Sequence, residues 1–251
     1  MTLRDPFDAD VIVAGSGGAG LAAALDSLEQ GASVLVVERE DEMGGAPAIS
    51  GGGCFIVATP LQAEKGVDDT TEKALEEWLR WGQGSADEEW ARFYIEKGCD
   101  ALFHWMAGLG GVWDALNHQE GNSVPRWHHP QGGGKGLWQA LYDAAQQRGV
   151  ARGLTNTAAT GLIWEGNAAA GLWVKRQDTG EEEELRCRVL DQAGQPIPSL
   201  YAAGELTGMA GGHINGRAGL EGTMLGPSLF SGRVAGAWAA NGAGFGEGFA
   251  V

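Results

Sequence analysis

The sequence predicts an α/β fold built on a parallel sheet, and three consecutive segments support this. Residues 10–15, "DVIVAG", form a short apolar run typical of a buried parallel strand. Residues 17–31 are rich in Ala and Leu and predict a helix that ends at Gly31. Residues 32–40, "ASVLVVERE", predict a second buried strand. A strand, a helix and a strand within about 30 residues make a βαβ unit.

The remaining elements follow from periodicity and turn signals. Turn residues at Gly166-Asn167 and at Asp178-Thr179-Gly180 arrange the β-type runs of 151–190 as an antiparallel meander. In chain order the other elements are a Gly-rich loop (41–62), a helical region (70–108), a loop with Gly, Pro and His (109–134), an amphipathic helix (135–149), a short buried strand (199–205) and a terminal helix of small residues (222–241).

Composition and charge restrict the partners. The chain has 251 residues, a net charge of −16 and three widely spaced cysteines. The negative charge argues against nucleic acid and anionic membranes, and the cysteine usage predicts reduced thiols. The N-terminus has no secretion signal, and no run reaches the roughly 18 apolar residues of a membrane span. We therefore expect a cytoplasmic protein whose partner is a small molecule.

The segment Gly15-Ser16-Gly17-Gly18-Ala19-Gly20 fits the pattern G-x-G-x-x-G after a strand and at the start of a helix. Gly15 permits a tight turn, Gly17 lets the backbone approach a pyrophosphate, and Gly20 lets helix and strand pack closely. The helix N-terminus then faces the negative charge. Glu38 closes the second strand, 18 residues after Gly20, where a carboxylate accepts hydrogen bonds from a ribose. This combination predicts dinucleotide binding.

A second glycine-rich region distinguishes between the dinucleotides. Residues 196–208, "PIPSLYAAGELTG", precede another Gly-rich loop and the terminal helix, far along the chain from the first motif. FAD is long, and its flavin end needs a binding surface of its own. We therefore predict FAD rather than NAD.

Taken together, these motifs resemble the fumarate reductase/succinate dehydrogenase flavoprotein superfamily, which includes the 3-ketosteroid dehydrogenases. The likeness is specific over 8–60 and 189–240 and looser over 135–188. It implies a Rossmann-like FAD-binding fold with a parallel sheet, an antiparallel β-meander and a helical insertion. The expected organisation is a single FAD-binding domain over 1–251, with the insertion at about 62–134, the meander at about 151–190 and no separate cap domain.

The resemblance also implies the residues that hold FAD. The Gly15–Gly20 turn would bind the pyrophosphate, Glu38 the adenosine ribose, and the backbone of Ala159 the adenine. Glu205 would bind the ribitol, and the helix N-terminus at 222–225 would lie under the flavin O2 edge. The full set is Gly15, Ser16, Gly17, Gly18, Ala19, Gly20, Glu38, Arg39, Gly44, Gly45, Ala46, Ser50, Gly51, Gly52, Ala159, Gly204, Glu205, Gly222, Thr223, Met224 and Leu225. The 44–53 loop has no histidine for covalent attachment, so we expect non-covalent FAD.

The sequence departs from the family after the meander, where similar proteins continue into a substrate-capping domain. Here Arg188 runs directly into Val189, which predicts that the cap is missing. His213 and Arg217 are the candidate catalytic residues, because the family's substrate-binding His and Arg occur in the loop before the terminal helix. A gapless match places Asn215 at the usual His, so loop hydrogen bonding is the alternative role for the pair.

A polar cluster, Arg126, His128 and His129 beside Trp127, predicts a surface loop near the flavin. No third ligand has metal-binding spacing, so no metal site is expected.

Three functions remain in competition. The first is an oxidoreductase that exchanges hydride between flavin N5 and a CH–CH or C=C bond next to a carbonyl. The second is a cap-less flavin-binding domain with only oxidase or electron-carrier activity and no dedicated substrate. A homo-oligomer is a further expected partner, because a second subunit would cover the flavin that the missing cap leaves open. The third is a scaffold without cofactor that serves interaction only.

Overall fold

The structure is a computed structural model that describes residues 9–150, 153–186, 199–207 and 222–249. The strands in these ranges are β1 (Val11–Ala14), β2 (Val34–Val37), β3 (Cys54–Phe55), β4 (Trp113–Asn117), β5 (Trp127–Pro130), β6 (Gly153–Leu154), β7 (Thr157–Glu165), β8 (Ala168–Arg176) and β9 (Glu182–Arg186). The helices are α1 (Gly18–Glu29), α2 (Pro60–Glu64), α3 (Thr71–Trp81), α4 (Glu88–Gly98), α5 (Trp105–Gly108), α6 (Gly133–Gln147) and α7 (Leu225–Gly242). A π-helical segment, Cys99–His104, joins α4 to α5, and short 3-10 turns occur at Ala46–Ile49 and Gly204–Thr207.

The predicted βαβ unit is present. Strands β1 and β2 pair in parallel from Val11↔Val34 to Ala14↔Val37, and β6 extends the sheet beside β2. Helix α1 connects the two strands, and the chain leaves it through Gly31, whose φ of +94° favours glycine. All four side chains of β2 are buried, which accounts for its continuous apolar run.

The antiparallel meander is also present as β7, β8 and β9, in that order. It packs against the parallel sheet through a small core of Ala9, Leu35, Val37, Val174 and Leu185. Both sheets belong to the same compact unit of the chain. The described residues divide into this first unit, drawn from 9–45, 143–202 and 232–249, and a second unit, drawn from 46–142 and 203–231.

Within the first unit, the part of α7 from Gly232 onward packs directly on α1. A Cβ atom added to Gly232 or Gly236 would lie closer than 3.0 Å to backbone atoms of Ala19 or Ala23, so neither position has room for a side chain. The Ser27 hydroxyl donates a hydrogen bond to the Gly236 carbonyl at 2.8 Å. The two helices therefore meet backbone to backbone.

A buried ion pair joins the same helices. Arg233 Nε lies 2.7 Å from Asp26 Oδ2, and the second Asp26 oxygen accepts from Arg233 Nη2 at 3.0 Å. Burial raises the pKa of Asp26 to about 6, although the hydrogen bond and charge of Arg233 act in the opposite direction. This pair links α7 to α1 at one register along the helix axis.

The second unit contains a sheet that the sequence does not predict, because the Gly, Pro and His residues of 109–134 indicate a loop. Strand β5 pairs antiparallel with β3 on one side and with β4 on the other. The interpretation of Arg126 and His128 as a surface loop is wrong, since both side chains are 0% exposed. Carboxylates distant in sequence make this burial possible: Arg126 donates to both oxygens of Asp69 at 2.8 Å and also to Glu77.

His128 is buried beside this network with both ring nitrogens in hydrogen bonds. Its Nε2 lies 2.7 Å from the Thr59 hydroxyl, and its Nδ1 lies 2.8 Å from the Arg126 carbonyl oxygen. The carbonyl can only accept, so Nδ1 carries the proton and Nε2 accepts from Thr59 when the ring is neutral. Burial lowers the pKa of His128 to about 4.

The predicted buried strand at 199–205 is also wrong. Residues 199–203 form no strand, and Leu200 and Tyr201 are 37% and 43% exposed. The chain instead enters the 3-10 turn at Gly204. Apolar residues alone did not distinguish a buried strand from an exposed connection.

The buried histidine predicts a specific pH dependence of stability. In the unfolded chain His128 binds a proton near pH 6.5, but in the folded chain only near pH 4. Between these values the unfolded state binds more protons, so the free energy of unfolding falls as the pH is lowered. The loss attributable to His128 is roughly 3 kcal/mol. Urea unfolding at pH 7 and pH 4 should show this loss for the wild type but not for His128→Gln. His129→Gln, on the same strand but partly exposed, is the control and should retain it.

Candidate functional site

The glycine turn after β1 has the properties that the motif predicts. Gly15 has a φ of +100°, and its N–H donates to the Val37 carbonyl at 2.7 Å. A Cβ on Gly20 would lie closer than 3.0 Å to the Gly15 carbonyl oxygen, so Gly20 permits close packing of α1 on the turn. A Cβ on Gly17 would have no atom within 4 Å. The space next to Gly17 is open, as a backbone that contacts a ligand requires.

The N-terminus of α1 can bind an anion. Its N-cap is Gly17, which has no side chain to accept a hydrogen bond from the first N–H groups. The first turn of this described helix also contains no acidic residue that would repel an anion. The first N–H groups of a helix lack intrahelical acceptors and carry the positive end of the helix dipole. Open space beside Gly17 and the donors of a helix terminus coincide here, so the turn fits a pyrophosphate.

Glu38 lies against this turn. Its Oε2 accepts from the Ser16 N–H at 2.9 Å and from the Ser16 hydroxyl at 2.6 Å, while Oε1 accepts from the Glu40 N–H at 3.0 Å. Partial burial raises the pKa of Glu38, but these hydrogen bonds outweigh it, and the pKa lies below its usual value. The carboxylate is ionised at neutral pH and retains lone pairs for ribose hydroxyls. Arg39 instead pairs with Glu40 at 2.7 Å and is mostly exposed.

The other first-unit residues of the predicted set lie around the same strand ends. The Gly44 N–H donates to the Ser16 hydroxyl at 3.0 Å, and Gly45 has a φ of +67°. Strand β7 starts beside Glu38, where the Thr157 N–H donates to the Glu38 carbonyl at 2.8 Å. Ala159 is exposed two residues further along this strand. The pyrophosphate, ribose and adenine candidates of the first unit therefore lie around β1, β2 and β7.

In the second unit, the 50–53 loop packs on the start of α6. Gly52 has a φ of +82°, and a Cβ there would lie closer than 3.0 Å to the Gly134 nitrogen. The Gly134 N–H donates to the Ser50 carbonyl at 3.1 Å. Gly51 is exposed with nothing within 4 Å of an added Cβ. Ala46 begins the preceding 3-10 turn and is exposed. The loop is thus fixed at Gly52 and open at Gly51.

The 222–225 segment is attached to the same sheet. The Phe55 N–H donates to the Gly222 carbonyl at 2.9 Å, and Gly222 has a φ of +88°. Thr223 is buried, Met224 is 55% exposed, and α7 begins at Leu225. The segment 222–225 therefore leads directly into the start of α7.

Gly204 and Glu205 are positioned by α7. The Gly204 N–H donates to the Ser231 hydroxyl at 2.9 Å. Gly204 is buried with a φ of +72°, whereas Glu205 is exposed in the 3-10 turn. The carboxylate is therefore available to a ligand.

Several sequence expectations fall outside the described residues. These are the candidate catalytic pair, His213 and Arg217, and the junction between Arg188 and Val189. The structure also reveals residues that sequence reasoning missed, namely Gly133, Gly134 and Trp127, which contact the candidate loops. The available sequence signal for Gly133 and Gly134 was the glycine run at 132–136, which begins an amphipathic helix.

The described part of the chain has neither a cluster of metal ligands nor a membrane-spanning helix. No group of three His, Cys, Asp or Glu side chains there is arranged to hold a metal ion. Within the same ranges no helix is long and apolar enough to cross a membrane.

Residues 10–186 match the family described as FAD binding domain. The chain belongs to this family. This FAD binding domain is 38% identical over 149 residues to a KsdD-like steroid dehydrogenase of Mycolicibacterium smegmatis, a match that covers 52% of the chain and 27% of the relative. It is 33% identical over 144 residues to a fumarate reductase (cytochrome) of Shewanella frigidimarina, covering 56% of the chain and 25% of the relative. The matches thus span about a quarter of the length of these relatives.

Solved structures give the same result. The open conformation of a flavocytochrome c3 fumarate reductase matches with a TM-score of 0.69 and 28% identity, covering 74% of this chain and 33% of that one. The 3-ketosteroid-Δ4-(5α)-dehydrogenase of Rhodococcus jostii RHA1 matches with a TM-score of 0.68 and 29% identity, covering 74% and 46%. The predicted fold class and the prediction of FAD as cofactor are confirmed.

Gly17→Val tests the pyrophosphate turn. The backbone at Gly17 is extended with a φ of −65°, and the added side chain meets no protein atom at Cβ, so the fold should persist. The valine would occupy the space in which the phosphate approaches the backbone, and we expect FAD affinity to fall by ~100-fold or more. Titration of apoprotein with FAD measures this.

Gly20→Ala is the contrasting control, because its Cβ meets the Gly15 carbonyl and should lower the melting temperature of the apoprotein itself. Stoichiometric flavin in purified Gly17→Val would show that the turn does not bind the pyrophosphate.

Proposed function

We propose that this FAD binding domain holds FAD non-covalently and takes part in hydride exchange at a CH–CH or C=C bond next to a carbonyl. The observation that carries the proposal is the open, uncapped helix start at Gly17 with ionised Glu38 beside it. In the proposal the turn at 15–20, Glu38 and Ala159 bind the adenosine diphosphate half. Bound FAD supplies a hydride acceptor or donor at flavin N5.

The segments 50–52, 204–205 and 222–225 are assigned to the flavin half. The N–H groups at the start of α7, from Gly222 to Leu225, would face the negative charge that reduced flavin carries near N1 and O2. Glu205 would accept hydrogen bonds from the ribitol. His213 and Arg217 are proposed to polarise the substrate carbonyl. The similarity to steroid dehydrogenases and fumarate reductases supports this reaction class.

The alternative is a cap-less flavin-binding domain with only oxidase or electron-carrier activity. The direct run of Arg188 into Val189 favours it, because no segment of domain size follows the meander before the second glycine region. Without a cap, water reaches the flavin, and the site lacks the pre-organisation that makes hydride transfer to one carbon fast. Self-association into a homo-oligomer that covers the flavin would rebuild a pocket and restore turnover.

Glu205→Ala tests the ribitol assignment. A charged acceptor contributes about 1.5–3 kcal/mol per hydrogen bond, so its loss should raise the FAD dissociation constant by about one to two decades. Glu181→Ala, another exposed acid in the turn before β9, is the matched control and should leave the constant unchanged. Equal affinities for wild type and Glu205→Ala would remove Glu205 from the site.

A turnover experiment separates the two functions. The holoprotein is photoreduced without oxygen and mixed with a panel of enones and enoates, and flavin reoxidation is followed by absorbance. Reoxidation by a defined enone or enoate at a saturable rate is expected if the chain carries the reaction. Reoxidation only by oxygen and artificial acceptors would favour the alternative. Iodide quenching of flavin fluorescence and sedimentation then report flavin exposure and self-association.

A further inference from the structure

The indole of Trp127 lies between two of the glycine segments assigned to the flavin. A Cβ on Gly53 would lie closer than 3.0 Å to Nε1, Cε2 and Cζ2 of this indole. A Cβ on Gly222 would lie 2.7 Å from its Cδ1. The backbone of Gly53 is outside the left-handed region, so the need for glycine there comes from Trp127 and not from φ.

The position of Trp127 is fixed by the second-unit sheet. It lies on β5, paired with Phe55 of β3 and with Asn117 of β4. Its ring also contacts that of His129 at a centroid distance of 5.3 Å, and His129 Nδ1 lies 3.3 Å from Asp114 Oδ1. The indole is only half-buried, so one part of it remains accessible.

Both glycine segments carry a large apolar side chain that protein atoms leave uncovered. Ile49, just before the 50–53 loop, is 91% exposed, and Met224, just after Gly222, is 55% exposed. Exposed apolar side chains that flank an open glycine such as Gly51 suit contact with a flat, largely apolar ring.

We propose that Trp127 is a positioning residue for the bound flavin. Its rigid indole sets the distance between 51–53 and 222–225 and stands next to the isoalloxazine. The inference rests on the proposed function, which assigns these two segments to the flavin. An aromatic ring suits the role because it fills space with only two rotatable side-chain torsions. Removal of the indole would let the two segments approach each other and close the flavin site.

The first test is the fluorescence of bound flavin. An indole in contact with an excited flavin transfers an electron to it and quenches emission, whereas a phenyl ring does not. Trp127→Phe should therefore bind FAD and raise the emission of bound flavin several-fold. Trp173→Phe, an exposed tryptophan on β8 of the first unit, is the matched control and should not change it. Unchanged emission in Trp127→Phe would overturn the proposal.

The second test concerns spacing and uses apoprotein stability and FAD affinity. Trp127→Ala should weaken FAD binding by about tenfold. Gly53→Ala should lower the melting temperature in the wild-type background but much less in Trp127→Ala, because the colliding indole is gone. An equal fall in melting temperature in both backgrounds would show that Trp127 does not set the distance between 51–53 and 222–225. Wild-type protein that binds no FAD would instead refute the proposed function itself, before any Trp127 variant is compared.

Discussion

Direct contact between backbones, with no Cβ atom in between, is the constraint on which the first unit depends. Helix α1 makes such contacts with two other segments. Gly20 lies against the Gly15 carbonyl of the preceding turn, and the α1 backbone lies against Gly232 and Gly236 of α7. These contacts leave α1 little freedom to shift. Its N-terminus is therefore held at one place, next to the open space beside Gly17. The high glycine content of the chain follows partly from this architecture.

Buried charge has a similar role in each unit. Asp26 and Arg233 connect α1 to α7 in the first unit, and Arg126 connects Asp69 and Glu77 in the second. Replacement of a buried pair by apolar residues often costs little, but loss of one partner leaves an uncompensated charge. Such pairs fix the register of segments that are far apart in sequence. Between α1 and α7 this matters because Gly232 and Gly236 meet Ala19 and Ala23, small residues that specify register weakly.

Sequence reasoning succeeded where the signal was local. The βαβ unit and the meander carry their periodicity and turn residues within a few tens of residues, and both are present. Strand β5 was missed because its partner β3 is only two residues long and lies more than seventy residues earlier, and β4 was missed with it because β4 pairs with β5. The burial of Arg126 could not be anticipated, since its carboxylate partners come from 69 and 77.

Prediction of the candidate site also succeeded where the signal was local and failed where it depended on contacts between distant segments. The turn at 15–20 was recognisable because each glycine has a separate steric reason. The roles of Gly133, Gly134 and Trp127 depend on contacts with the 50–53 loop that no short motif encodes. The apolar run at 199–205 predicted a strand, but Leu200 and Tyr201 are exposed, because hydrophobicity does not specify which partner a segment meets.

The open glycines beside the candidate cofactor loops have a thermodynamic consequence. Glycine loses more conformational entropy on folding than any other residue, and Gly15, Gly17 and Gly51 have no protein atom near the position of a Cβ to offset that loss. A ligand that binds only the folded state stabilises it by mass action, by about 2.7 kcal/mol at a hundred times its dissociation constant. In the proposed function, bound FAD would fill the space beside these glycines and so stabilise the loops. In a cell, the supply of the cofactor would regulate the lifetime of the protein against proteolysis.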